Sequence, residues 1–322
     1  MKILGTGSAL PERVVTNFDL TKFLDTSDEW ISSRTGIRER RLVTDESVLS
    51  LAQAAAERAL CDAGLCAQDI DLILCSTLAG DYVTPALACE LQAALGARCA
   101  GFDLNNACPG FLYALDVSDA YIASGKAKHV LIVCAEIMSR LCDWRDRSTC
   151  VLFGDGAGAV VVGPGDGLMR THLTCAGNAG VLHLVPDQGN SPFETKKRAA
   201  SSLYMDGSEV YKFAVSAAVA DIRSVMEKAG LSPEQVDLFV LHQANKRILE
   251  AVRTRLKQPE EKFPANISVR GNTASASVPI LLDELNRAGA LCAGQVLVMS
   301  AFGAGLTTAA CALRWTKDRA AG

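Results

Sequence analysis

No apolar run in this chain reaches the roughly 18 residues that a membrane span requires, and the opening Met1-Lys-Ile-Leu-Gly-Thr-Gly-Ser has no long apolar segment of the secretory kind. The expectation is a cytoplasmic protein with no membrane partner. Aromatic residues make up only 6% of the chain, and with Asp and Glu exceeding Lys and Arg by four there is no basic excess. That balance argues against nucleic acid as a partner. Twelve cysteines are present but no two are spaced CxxC, so zinc ribbons and dithiol redox motifs have no support. Without metal or disulfide framework, most of these cysteines read as small buried apolar residues kept reduced. Only four histidines are available for acid–base work.

What is present is a core-forming composition: 322 residues, 49% hydrophobic and 21% charged. That length suits two halves of about 150 residues each. An internal repeat supports the division. Ala63-Gly-Leu-Cys-Ala-Gln-Asp-Ile-Asp-Leu72 matches Ala229-Gly-Leu-Ser-Pro-Glu-Gln-Val-Asp-Leu238, and Val130-Leu-Ile-Val-Cys-Ala135 matches Val296-Leu-Val-Met-Ser-Ala301, both 166 positions on. Each first pair ends a helix, spanning about 48–63 or 209–229, and leads into a buried-type strand, 72–76 or 238–242. Continuous apolar strands alternating with helices predict an α/β fold with a largely parallel sheet covered on both faces, built twice. The glycines and proline of Gly163-Pro-Gly-Asp-Gly167 place the boundary between halves 1–163 and 164–322. Gly154-Asp-Gly-Ala-Gly158 lacks the strand, spacing and downstream acid of a dinucleotide fingerprint and reads as a tight turn.

Within this frame Cys108 stands where an apolar strand gives way to an amphipathic helix bearing Phe111, Leu112, Leu115 and Ile122 at helical spacing. Pro109 suits the first helical position and Gly125 the stop, which puts Cys108 at the N-cap. Free N–H groups and the helix dipole there stabilise a thiolate. A packed structural cysteine is the plainer alternative. His242 ends the strand 238–242, where a satisfied core imidazole is the ordinary reading. Asn272, between Gly271 and Thr273-Ala-Ser-Ala-Ser277, equally suits a turn or cap. Both lie at strand ends, where α/β folds gather ligands.

Taken jointly, these residues resemble the β-ketoacyl-acyl-carrier-protein synthase III family, the initiating condensing enzymes of bacterial fatty acid synthesis. The resemblance runs nearly end to end, through Gly5-Thr-Gly-Ser, Thr26-Ser-Asp-Glu-Trp-Ile-Ser-Ser-Arg-Thr-Gly-Ile-Arg38, Ala107-Cys-Pro-Gly-Phe111, Asp146-Arg-Ser-Thr149, Phe153-Gly-Asp-Gly-Ala-Gly158, His242-Gln-Ala-Asn245 and Gly271-Asn-Thr273. It implies a thiolase-like fold, with two pseudo-symmetric halves in a layered αβαβα core, and a homodimer. It also implies the chemistry. Cys108 takes an acyl group from acyl-CoA, and malonyl-acyl-carrier protein then loses CO₂ to an enolate held by His242 and Asn272. Backbone N–H groups of Cys108 and Ala304 would form the oxyanion hole. Asn272 marks the starter subtype, because elongating synthases of this fold carry a second His there. No cofactor and no metal is implied, acyl-CoA being a substrate.

The same resemblance assigns CoA binding to Trp30, Arg34 and Arg147, with Trp30 and Arg147 sandwiching the adenine, and the pantetheine channel to Met205, Gly207, Tyr211, Ala244 and Asn245. It assigns docking of the acidic carrier to Lys212, Lys246, Arg247, Arg253 and Lys257. Ordinary packing and a solvated cationic face are the plain alternatives for these residues. Two positions depart from the commoner pattern: Pro109 follows the nucleophile, and Ala304 replaces a loop glycine. Thr84 stands where some relatives carry an aromatic at the end of the acyl pocket, so a roomier pocket is expected. A relative in secondary metabolism, priming a polyketide or acylating oxygen or nitrogen, is the competing enzyme. A non-catalytic thiolase-fold subunit would lack the nucleophile.

Overall fold

The computed structural model describes residues 1–185 and 202–317. The chain opens on β1 (Lys2–Ala9), and a small hairpin of β2 (Val14–Thr16) and β3 (Glu39–Arg41) brackets α1 (Asn17–Leu20) and α2 (Asp28–Thr35). There follow α3 (Val48–Ala63), β4 (Leu72–Ser76), α4 (Leu87–Leu95), β5 (Ala100–Leu104), α5 (Gly110–Ala123), β6 (Val130–Ile137) and β7 (Asp155–Gly163). The second half runs β8 (Leu168–Cys175), the paired β9 (Leu182–Leu184) and β10 (Leu203–Met205), α6 (Gly207–Ala229), β11 (Leu238–Leu241) and α7 (Lys246–Leu256). It closes with the single turn α8 (Ile267–Arg270), α9 (Ser277–Arg287), β12 (Val296–Gly303) and β13 (Thr307–Arg314).

The two long outer helices have strong local reasons to form. Ser47 caps α3 in a reciprocal box with Ser50, and Asp206 caps α6 by accepting from the Ser208 and Glu209 N–H groups. Both end on a left-handed glycine, Gly64 or Gly230, which closes the last turn without a Cβ penalty. Their apolar faces decide where they lie. Ala52, Ala55, Ala56 and Ala59 of α3 pack on the first sheet, while Val215, Ile222 and Val225 of α6 pack on the second.

The first sheet has the order β1-β7-β6-β4-β5 and the second β11-β12-β13-β8. Reversed, the second reads as the first without its β5 equivalent, so the repeat seen in sequence is a repeat of topology. Between the sheets lie α5 and α9, whose Phe111, Leu115, Ile280 and Leu282 share one core with both. The result is five layers, αβαβα.

Two expectations need correction. The sheets are mixed: β4 pairs in parallel with β5 and β6, and β11 with β12, but β7, β13, β1 and β8 are antiparallel to their neighbours. No crossover helix separates β6 from β7 or β12 from β13, so the chain returns antiparallel. Gly154-Asp-Gly-Ala-Gly158 is no turn but the entry into β7. A Cβ on Gly158 would sit 2.7 Å from the Ile280 nitrogen, so glycine here lets α9 press directly on the sheet.

Candidate active site

Cys108 lies between β5 and α5. Ala107 before it adopts φ +49°, a left-handed turn unusual for a side-chain-bearing residue, and this sharp reversal sets Cys108 at the head of a 14-residue helix. The helix cap is Pro109, one residue later than the sequence suggested, so Cys108 precedes the cap rather than being it. The head of α5 is pressed inward, because a Cβ on Gly110 would lie 1.9 Å from Ser76 Oγ. That burial has an electrostatic cost. Desolvation, with the Glu136 carboxylate second, pushes the Cys108 thiol up to about 12, against the lowered value expected from the helix start alone.

His242 follows β11 and is 1% exposed. Burial alone lowers its imidazole to about 3, so the ring is neutral at ordinary pH. Its Nδ1 lies 2.6 Å from Ser277 Oγ at the start of α9, and its ring packs in a T-shaped arrangement with Phe302 at 5.4 Å between centroids. Asn272 was expected after a strand. It follows the helical turn α8 instead, and reaches the site through an isolated bridge to Phe153. Its Oδ1 accepts from the Ala274 N–H at 2.9 Å, which fixes the carboxamide plane and leaves the NH₂ group free to donate.

The end of β12 meets the nucleophile. Gly303 sits so close that a Cβ would fall 2.9 Å from the Cys108 nitrogen. Neither the Cys108 nor the Ala304 backbone N–H is taken up by another group among the described residues, and the Ala304 carbonyl accepts from Thr307 Oγ1 at 3.0 Å.

Cys108, His242, Asn272 and Ala304 line a single cavity of about 1720 Å³. Of the other expected residues, Trp30, Arg34, Met205, Gly207, Tyr211, Ala244 and Asn245 line it too, as do Lys212 and Arg247. Asn245 has a second task, since its side chain caps α7 through the Arg247 N–H. Arg147 is outside the lining. Its guanidinium already lies over the Trp30 indole at 5.1 Å, bonded to the Asp25 carbonyl, and Arg34 stands over the same ring at 4.7 Å. A base can lie between Trp30 and Arg147 only once Arg147 moves off. Thr84 is exposed and outside the lining, so within this chain it does not bound the cavity. Lys246 and Arg253 lie along α7 and Lys257 caps its end, all outside the cavity, with Lys246 also 3.6 Å from Glu250. The sequence reading missed Ser277, Ser275 and Glu136. The signal for Glu136 was there, a lone carboxylate in the otherwise apolar Val130–Ile137.

Two duplicated halves in five layers, with a cysteine at a buried helix head sharing one cavity with an imidazole and a carboxamide, define the thiolase-fold condensing acyltransferases. The family model "3-Oxoacyl-[acyl-carrier-protein (ACP)] synthase III" matches residues 102–177, and its C-terminal companion matches residues 226–315. The β-ketoacyl-[acyl-carrier-protein] synthase III of Caldanaerobacter subterraneus subsp. tengcongensis is 45% identical, covering 98% of both chains. The crystal structure of the 3-oxoacyl-[acyl-carrier-protein] synthase III from Aquifex aeolicus superposes with TM-score 0.92 at 44% identity, over 98% of this chain and 99% of that one. The priming β-ketosynthase of the R1128 polyketide pathway gives 0.92 at 40% identity, over 99% and 97%. This chain belongs to the β-ketoacyl-acyl-carrier-protein synthase III family, as an initiating condensing enzyme of fatty acid synthesis.

Proposed function

We propose that Cys108 carries the acyl group and that His242 and Asn272 drive the decarboxylative half of the reaction. The observation that supports this most is the convergence of the three side chains, from three separate segments, on one cavity. Cys108 sulfur attacks the acyl-CoA thioester carbonyl. Its oxyanion is received by the Cys108 and Ala304 N–H groups, and CoA leaves with the thiol proton. Malonyl-carrier protein then enters. Its carboxylate departs as CO₂, and the bond electrons pass to the thioester carbonyl as an enolate.

Two donors meet that enolate oxygen. Ser277 Oγ takes the Gln243 N–H at 3.4 Å, so its own hydroxyl proton can serve His242 Nδ1. The neutral ring then bears its proton on Nε2, aimed at the cavity. Asn272 supplies the second donor. The enolate carbon attacks the acyl carbonyl, Cys108 leaves as thiolate, and 3-ketoacyl-carrier protein is released. The test is direct: load the enzyme with acyl-CoA, locate the adduct by mass spectrometry, then add malonyl-carrier protein. A Cys108 adduct that malonyl-carrier protein does not consume overturns the assignment.

Trp30 and Arg34 stand at the mouth for the CoA nucleotide, with Arg147 as a movable cover. Carrier docking falls to the exposed cations of α7. Gly36, ending α2 with φ +79°, lies against the Lys246 side chain, so the helix bearing Trp30 is in direct contact with the helix bearing the cations. Replacing Lys246 and Lys257 together with Glu should raise the KM for malonyl-carrier protein about tenfold at low salt and leave Cys108 acylation unchanged. Steady-state kinetics at two ionic strengths check this, and a salt-independent KM would count against docking here.

The implied homodimer has a fitting face: β5 is an edge strand, flanked by the exposed Tyr82, Val83 and Thr84. All twelve cysteines are free, four of them exposed, which suits a reducing, cytoplasmic compartment. Among the described residues no helix is long and apolar enough to cross a membrane.

A further inference from the structure

Glu136 is a carboxyl group that the reaction above does not use, held 1% exposed near the end of β6. Its Oε2 accepts from the Leu78 N–H at 3.0 Å, and its Oε1 from Ser275 Oγ at 2.5 Å. Ser275 belongs to the 274–276 turn, capped by Thr273, that directly follows Asn272, and in it Ala274 takes φ +46° and returns its N–H to the Asn272 side chain. Ser275 also touches the nucleophile's helix, since a Cβ on Gly110 would lie 3.6 Å from its own Cβ. One carboxyl therefore braces the turn that aims Asn272 and lies under the helix head that carries Cys108.

We propose that Glu136 is a positioning residue for both half-reactions: through Ser275 it fixes the Asn272 turn, and through its charge it sets how readily Cys108 becomes a thiolate. This rests on the site reading given above. Glu136 faces few groups that could compensate its charge. Its own strand brings Cys134, the β5–α5 connection brings Cys108, the residue after β4 brings Thr77, and β7 brings only Gly156 opposite. Among the described residues no cation forms an ion pair with it.

Burial raises the Glu136 carboxyl to about 7, so it is neutral below that pH and charged above it. While neutral, it leaves the thiol to the α5 N–H groups. Once charged, it opposes the thiolate. A purely structural lesion at this position would change Cys108 reactivity by the same factor at every pH, whereas a charge effect opens only as pH rises through about 7.

Iodoacetamide alkylation of Cys108, followed on its own peptide by mass spectrometry, reads the thiolate. Glu136→Gln keeps the shape and removes the charge. It should match the wild type at about pH 6 and react about tenfold faster at about pH 8.5, the equivalent of a thiol shift of about one unit. A ratio that is the same at both pH values, or below one at the higher pH, overturns the charge effect. Glu136→Asp keeps the charge but is too short for Ser275. Its alkylation profile should follow the wild type, while consumption of preformed acyl-enzyme by malonyl-carrier protein slows about tenfold. Unslowed consumption overturns the bracing of Asn272. Wild-type enzyme exposed to acyl-CoA is the control that separates the two ideas. No adduct at Cys108 defeats the site reading, while an adduct together with a pH-independent Glu136→Gln ratio defeats only this proposal.

Discussion

Cys108→Ala should lower kcat/KM for condensation by at least about 10⁴-fold, some 5 kcal/mol of transition-state stabilisation, and should abolish the acyl adduct. The loss is that large because no other thiol can substitute. Cys134 lies behind the helix head, fully buried with its thiol raised by desolvation, and Cys175, although in the cavity wall, sits at the exposed end of β8. Decarboxylation of malonyl-carrier protein is a different matter. It needs only the His242 and Asn272 donors, neither of which the substitution touches, so CO₂ release should persist within about tenfold of the wild type. Radiolabelled CO₂ release measured beside product formation checks both halves. Loss of decarboxylation together with condensation would mean that Cys108 helps place the malonyl group as well as the acyl group.

Much of this was legible from the residues. The 166-residue repeat is periodicity in apolar strands and Gly-ended helices, which are local properties, and α3 and β4 fall where the pattern placed them. Strand direction was not legible, because an apolar run such as that of β7 looks the same whichever way it pairs. The connection decided that: the segment 138–154 between β6 and β7 forms no crossover helix. Asn272 was found as a residue but not as a conformation: its position depends on the bridge to Phe153, a contact that arises only when the two halves close, and on the local turn that brings the Ala274 N–H to its side chain.

The site shows the same division. Residue type and position made Cys108 and His242 candidates and the family resemblance gave them roles, but the electrostatics came out reversed for the thiol. A helix head alone favours thiolate, and only the packed structure adds the desolvation and the Glu136 charge that oppose it. Ser277 was visible merely as one serine of a polar turn. Its meaning lies in the 2.6 Å contact with a ring 35 residues away in sequence.

His242→Ala should separate the half-reactions. Acylation of Cys108 depends on sulfur and on backbone N–H groups supplied by Cys108 and Ala304, so the adduct should form at a rate within a few-fold of the wild type. Condensation should fall about 10²- to 10³-fold, the loss of one of two donors to the enolate oxygen. Stability should change too, in a pH-dependent way. The folded ring titrates near 3 and the unfolded ring near 6.5, so the unfolded chain binds the extra proton between those values. The contribution of a neutral His242 is complete above about 6.5 and is lost as pH falls towards 3. Urea unfolding should therefore show the wild type losing stability more steeply than His242→Ala between about pH 6.5 and about pH 5. Single-turnover acylation followed by a malonyl-carrier protein chase gives the kinetic split. Equal loss in both steps would place the imidazole in thiol activation instead, and would require the ring to reach Cys108 as its proton acceptor.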